Sequence, residues 1–239
     1  MGEAISFPIG HDHLVMWSKR GKKRRLTVLL LVFVISQSSF LESAVAQRIL
    51  ATEALQELNV KGRAPKTGYD RDLFGSPWSD VDRNGCDTRN DILARDLVAR
   101  TFEDSRERCV IIEGVLIDPY SGERIQFQRG QVTSLAVQID HVVSLSNAWQ
   151  TGAFRWSEEK RKRFANDPLN LLAVRGSLNA QKGDGDAATW LPPRRSYWCA
   201  FVARQIAVKR EYRLWVTRPE KRAIEGILER CPKQRIPSS

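Results

Sequence analysis

The amino-acid sequence predicts an α+β fold. Runs rich in β-branched residues and bounded by turn signals are concentrated in the middle of the chain. Apolar residues at helical spacing mark the segments before and after these runs, and the sequence contains no internal repeat. A chain of 239 residues forms one large domain or two small ones, with a substantial core in either case.

The first 46 residues are typical of a secretory signal peptide. A basic cluster over 19–25 directly precedes an apolar run over 26–35, and the segment ends in Ala44-Val45-Ala46. We therefore expect cleavage after Ala46, secretion, and no stable membrane insertion of the mature protein. The alternative is an uncleaved signal that anchors the protein, although the apolar run is too short to cross about 30 Å of hydrocarbon comfortably.

The mature chain is expected to begin with a short helix and linker, over 47–68, followed by a single domain over 69–239. Apolar residues recur at helical spacing within 47–61, and Gly and Pro punctuate the linker. A polar, turn-rich stretch then leads to a predicted helix over Asp91–Arg100. At the other end of the domain, helices are predicted over Ser196–Trp215 and Pro219–Arg230.

A β-hairpin and a strand–strand–helix unit are predicted between these helices. The hairpin joins Cys109–Ile117 to Glu123–Phe127 through the turn signal Asp118-Pro119-Tyr120-Ser121-Gly122. The second unit, over about 135–185, is built from strand candidates at 136–145 and 169–174, with a basic helix over 157–166 between them. A further helix is expected to start near Ser177.

The four cysteines predict two disulfides, because an even number of cysteines in an exported chain is typical of structural bridges. Three connectivities are possible, and the local pairings Cys86–Cys109 and Cys199–Cys231 are preferred. In the chain-entropy model, each disulfide would stabilise the folded state by about 3 kcal/mol. No CxxC pair is present, so a structural zinc site is not expected.

The chain is strongly basic, with a formal net charge of +10. Without residues 1–46 the charge is still about +7, because 32 basic and 25 acidic residues remain. Such a balance favours a polyanionic partner, either nucleic acid or an anionic membrane surface. Candidate phosphate contacts are Arg89 and the basic run with Lys160, Arg161 and Arg163; a solvated helix face is the alternative for that run.

His141 is the only histidine of the expected mature chain, and Asp140 directly precedes it. Such a pair in an apolar strand is more often structural. The downstream pattern favours chemistry instead, since Asn170 follows in the second strand, and Asn179 and Lys182 share a face of the next helix. In this ββα arrangement His141 can deprotonate water, Asp140 and Asn179 can ligate Mg²⁺, and Lys182 can contact a phosphate.

The motifs resemble a family of exported bacterial HNH-type (His-Me finger) proteins related to the C-terminal nuclease domain of GmrSD-type restriction endonucleases. The likeness extends from about Tyr69 to Cys231. It is carried by four ordered stretches: Gln138-Ile139-Asp140-His141-Val142-Val143, Asn166-Asp167-Pro168-Leu169-Asn170-Leu171-Leu172-Ala173-Val174, Asn179-Ala180-Gln181-Lys182-Gly183-Asp184 and Trp190-Leu191-Pro192-Pro193.

The resemblance implies a His-Me finger (ββα-metal) core with flanking helices and a β-hairpin. It implies that His141 is the general base, that Asn170 braces the loop or orients the histidine, and that Asn179 and Asp140 ligate the metal. Asparagine at the last position departs from the strict His-Asn-His pattern. The expected function is a secreted endonuclease with little sequence specificity that cleaves DNA, or alternatively RNA. Mg²⁺ is the expected metal, with Mn²⁺ or Ca²⁺ as alternatives.

Other interpretations stay open. A non-catalytic, nucleic-acid-binding cell-surface protein of the same fold is the alternative function. The spacing of Asp80, Asp82 and Asn84, with Asp91 at the twelfth position, resembles a calcium loop and allows a calcium-stabilised structural module. A hydrogen-bonded loop held by Cys86 is the preferred interpretation of this segment.

Overall fold

The computed structural model describes residues 49–104, 106 and 108–238, and in this part of the chain small antiparallel sheets combine with several helices. These residues all belong to one compact unit, Val45–Ser239. The predicted signal peptide, 1–46, lies outside the described residues. Within them, no helix is long and apolar enough to cross a membrane.

The elements follow in chain order. The helices are α1 (Ala51–Gln56), α2 (Thr88–Asp96), α3 (Leu145–Gln150), α4 (Glu158–Ala165), α5 (Gly176–Lys182), α6 (Trp198–Tyr212) and α7 (Arg218–Leu228). The strands are β1 (Leu97–Phe102), β2 (Ile111–Ile117), β3 (Arg124–Gln128), β4 (Val137–His141) and β5 (Leu171–Arg175). Single 3₁₀ turns lie at Arg71–Phe74, Thr133–Ala136, Ala153–Arg155 and Arg195–Tyr197.

The predicted hairpin is confirmed as β2–β3, the centre and edge of a sheet with the order β1-β2-β3. The turn is closed by a hydrogen bond from the amide of Asp118 to Glu123 O at 2.9 Å, and Gly122 takes a φ of 83°, which favours glycine.

The predicted helix over 91–100 is wrong in its second half. The helix ends at Asp96, and the next residues pair with β2 because cross-strand packing outweighs local helix propensity.

The β4–β5 pair forms a separate two-stranded antiparallel sheet, and α5 follows β5 directly. Leu171 and Ala173 face one apolar cluster, shared with α2 and the three-stranded sheet. Leu172 and Val174 face the other, larger cluster, which includes residues of α1, α3, α6 and α7. Burial on both faces explains why this strand is a continuous apolar run in the sequence.

Both predicted disulfides are present, Cys86–Cys109 and Cys199–Cys231. The first joins the loop before α2 to the chain just before β2. The second joins the start of α6 to the residues that follow α7. In the chain, one bridge therefore precedes the β4–β5–α5 unit and the other follows it.

Candidate active site

His141 is the last residue of β4, and its imidazole is held from one side. The ring is buried, with 8% of the residue exposed, and Nε2 lies 2.8 Å from the carbonyl oxygen of Ala165 at the end of α4. A carbonyl oxygen can only accept a hydrogen bond, so Nε2 carries the proton and donates it. This tautomer leaves the lone pair on Nδ1.

The imidazole is neutral near physiological pH. Burial lowers the pKa of His141 to about 4, and this effect exceeds the opposite influence of the Ala165 hydrogen bond and the Asp140 charge. Trp78 stacks on the ring, with centroids 6.3 Å apart and planes inclined by 15°. Among the described residues, His141 Nδ1 has no hydrogen-bond partner, so the shielded imidazole presents one unprotonated nitrogen.

Asp140 precedes His141 in β4, and both of its carboxylate oxygens accept hydrogen bonds. Oδ1 accepts from Lys182 Nζ at 2.9 Å, and Oδ2 accepts from the phenolic hydroxyl of Tyr120 at 2.5 Å. Tyr120 is fully buried, and burial together with the charge of Asp140 raises the pKa of its hydroxyl well above the usual value. The phenol thus stays protonated and donates to the carboxylate.

Lys182 does not occupy the place that the sequence predicted for it. Its side chain has no exposed surface, and its ammonium donates to Asp140 Oδ1 and, at 2.8 Å, to the carbonyl oxygen of His141. The helical face that it shares with Asn179 is the inner face of α5, packed against β4. In this arrangement the Lys182 ammonium is bound to β4 and has no exposed surface, whereas the sequence predicted that it contacts a phosphate.

The two asparagines differ in their surroundings. Asn170 is fully buried; its Oδ1 accepts from the amide of Val143 at 2.8 Å, and its Nδ2 donates to Val143 O at 3.1 Å. It braces the chain just after His141. Asn179 donates from Nδ2 to Gln138 Oε1 at 2.9 Å. Its Oδ1 accepts no hydrogen bond from any residue that the structure describes.

Asp140, His141 and Asn179 share one cleft of about 220 Å³, which Asp184 also lines. Among the described residues there is no group of three or more His, Cys, Asp or Glu side chains that could hold a metal ion. The cleft offers instead the buried carboxylate of Asp140, whose oxygens already accept from Lys182 and Tyr120, and the amide oxygen of Asn179. This donor set fits Mg²⁺, which keeps several water ligands and commonly binds through one or two carboxylates and substrate phosphates.

A groove of about 510 Å³ adjoins this cleft and carries two arginines. Arg89, a predicted substrate contact, lines it and donates to Val137 O at 3.3 Å. Arg71, which no sequence pattern indicated, lines this groove and two cavities beside His141. It forms no ion pair with any described residue. No local motif marks Arg71, since its role depends on contacts with distant elements.

The basic residues of α4 lie elsewhere. Lys160 packs over the ring of Trp156, Arg161 donates to Leu73 O at 2.8 Å, and Arg163 pairs with Glu159 at 2.6 Å. None of these three basic residues lines the clefts beside His141 described above. These side chains pack α4 against neighbouring groups or lie on its solvent-exposed surface.

The segment with calcium-like spacing is stabilised by its own hydrogen bonds. The Asp80 carboxylate accepts from the amides of Asn84 and Gly85, and the Asn84 side chain donates to Asp82 and Asp91. The Cys86–Cys109 disulfide holds the end of this loop. The arrangement matches the preferred interpretation of a hydrogen-bonded loop.

The sequence matches the family described as the C-terminal domain of GmrSD restriction endonucleases, over residues 87–226. The chain belongs to this family. It is also 38% identical, over 183 residues, to a protein of Arthroderma benhamiae described as "Uncharacterized secreted protein"; the match covers 76% of this chain and 84% of that protein. No solved structure matches the chain. Membership indicates a nuclease-like domain with nucleic acid as its substrate class, and every residue of the cleft from Asp140 to Asp184 lies within the matched range.

Proposed function

We propose that the protein is a secreted, metal-dependent endonuclease in which β4, β5 and α5 form a His-Me finger. The observation that carries the proposal is a neutral, buried His141 whose Nε2 is fixed to Ala165 O and whose cleft also contains Asp140 and Asn179. The family supports nuclease chemistry. The signal segment, the two disulfides and the secreted relative support export.

In this proposal His141 is the general base. Nδ1 accepts a proton from a water molecule, whose oxygen attacks the phosphorus of the scissile phosphodiester while the bond to the leaving oxygen breaks. The hydrogen bond to Ala165 fixes the tautomer that this step needs. Asn170 contributes by holding Val143, and with it the chain that follows His141.

Asp140 and Asn179 would hold a divalent cation, with Mg²⁺ preferred and Mn²⁺ or Ca²⁺ as alternatives. When bound, the cation supplies a Lewis acid for the charge that develops on the phosphate and the leaving oxygen. Arg71 takes the phosphate-binding role that the sequence assigned to Lys182, because it lines two cavities beside His141 and the adjoining groove. Arg89 extends the cationic lining along the adjoining groove.

The substrate is proposed to be DNA, with RNA as the alternative, and to be cleaved with little sequence preference. The supporting observation is that the groove presents arginines, which contact phosphates, beside Trp78 and Leu135, which offer apolar surface. Phosphate contacts position a nucleic acid but do not by themselves read its sequence.

The test is a cleavage assay with the purified secreted protein on plasmid, single-stranded DNA and RNA, with Mg²⁺, Mn²⁺ or Ca²⁺. We expect cleavage that EDTA abolishes. Salt-sensitive binding without cleavage under any metal would contradict the proposal and favour the non-catalytic alternative.

A further inference from the structure

The carboxylate assigned to metal binding already has a cation beside it. Lys182 Nζ lies 2.9 Å from Asp140 Oδ1, and the side chains are 0% and 4% exposed. Tyr120 donates to the other oxygen. An unpaired buried charge is costly, and this ion pair gives the buried carboxylate of Asp140 a partner of opposite charge.

Lys182 also connects this carboxylate to the base. Its ammonium donates to the main-chain oxygen of His141, so one side chain contacts both residues of the Asp-His pair. Lys182 comes from α5, which also carries Asn179, the second proposed ligand. The same ammonium thus ties α5 to the end of β4, where the proposed ligands meet.

We propose that Lys182 is a resident counter-cation of the metal site. It neutralises Asp140 when no divalent cation is bound, and it competes with that cation for the same carboxylate. The inference rests on the proposed function, because it takes Asp140 as a metal ligand. Lys182 is in this view a positioning residue, which touches neither substrate nor the attacking water.

The proposal has two consequences. Two cations on one buried carboxylate repel each other strongly, so a neutral side chain at position 182 should tighten divalent-cation binding by roughly tenfold or more. The same change leaves Asp140 without its ion-pair partner in the metal-free protein. Stability without metal should fall, and the stabilisation produced by added metal should grow.

The experiment compares the wild type with Lys182→Met, which keeps the side-chain length and removes the charge. MgCl₂ is titrated into metal-free protein in a calorimeter, and thermal unfolding is recorded in EDTA and in Mg²⁺. We expect tighter Mg²⁺ binding, a lower Tm in EDTA, and a larger upward shift of Tm with Mg²⁺ for Lys182→Met. Lys182→Arg keeps the charge and should bind Mg²⁺ with an affinity close to that of the wild type.

A Lys182→Met protein that is unfolded in EDTA but folds when Mg²⁺ is added would also support the proposal, since the metal then replaces the lysine. Equal or weaker Mg²⁺ binding by Lys182→Met would overturn it, as would a variant that stays unfolded at every Mg²⁺ concentration. If neither the wild type nor Lys182→Met binds Mg²⁺, Mn²⁺ or Ca²⁺, the proposed metal site itself fails. If the wild type binds Mg²⁺ and Lys182→Met binds it no more tightly, only the counter-cation role of Lys182 is refuted.

Discussion

At the scale of single residues, the arrangement separates the two members of the Asp-His pair. Both residues line one cleft, but their side chains have different partners: His141 contacts Ala165 and Trp78, while Asp140 contacts Lys182 and Tyr120. The sequence identified His141, Asp140 and Asn179 because they are close along the chain or share a recognisable pattern. It missed Tyr120, whose contact with Asp140 spans 20 residues and has no local signature.

The buried histidine predicts a specific pH dependence of stability. Its pKa falls from 6.5 to about 4 on folding, so the folded protein binds fewer protons than the unfolded chain between these values. The contribution of His141 to the free energy of unfolding is fully present above pH 6.5 and is lost as the pH falls toward 4. The loss should reach about 3 kcal/mol.

The measurement is chemical unfolding at pH 7 and at pH 4.5 in EDTA, for the wild type and for His141→Gln. Gln cannot titrate but can still donate to Ala165 O. The wild type should lose more stability than the variant over this interval, and an equal loss in both proteins would contradict the assigned environment of the imidazole.

At the scale of elements, several strands and helices of the domain follow from local rules. Turn chemistry predicted the β2–β3 hairpin, and apolar runs predicted β4 and β5 to within a few residues. The α2–β1 boundary did not follow, because β1 exists through its pairing with β2. The spacing of Asn179 and Lys182 predicted their common face, but it did not show that this face packs inward against β4.

The segment after β4 depends on Asn170. Asn170→Ala should remove both partners of Val143 and leave a buried amide and carbonyl unpaired, at a cost of about 2 to 4 kcal/mol. Urea unfolding measures the loss, and cleavage should fall with it at a temperature where the variant is still folded. Asn59→Ala, at an exposed position, is the matched control and should change neither. Unchanged stability in Asn170→Ala would contradict the bracing role.

At the scale of the whole molecule, part of the positive charge of this basic chain lies at the proposed active site. Arg71 precedes the matched family segment, 87–226, yet lines the cavities around His141. The charges of α4, which stand out more clearly in the sequence, are used in contacts with neighbouring groups. Net charge favoured a polyanionic partner, but it did not indicate which basic residues line the clefts.

Arg71→Ala should weaken binding of a DNA duplex and lower cleavage by roughly tenfold, and should reduce the slope of log K against log salt by about one. Filter binding over a range of salt concentrations, in EDTA, measures the slope. The control is Arg163→Ala, because Arg163 pairs with Glu159 and does not line these clefts. It should leave the DNA affinity and the salt slope near the wild-type values. An effect of Arg163→Ala equal to that of Arg71→Ala would place the substrate on α4 instead.

The central claim is that the free Nδ1 of His141 removes a proton from the attacking water. The most direct test is plasmid cleavage by His141→Gly with Mg²⁺, with and without added imidazole. The variant should be slower than the wild type by about 10² to 10⁴, as expected for loss of a general base, and imidazole should restore part of the rate. Cleavage by His141→Gly at the wild-type rate, without imidazole, would contradict the claim.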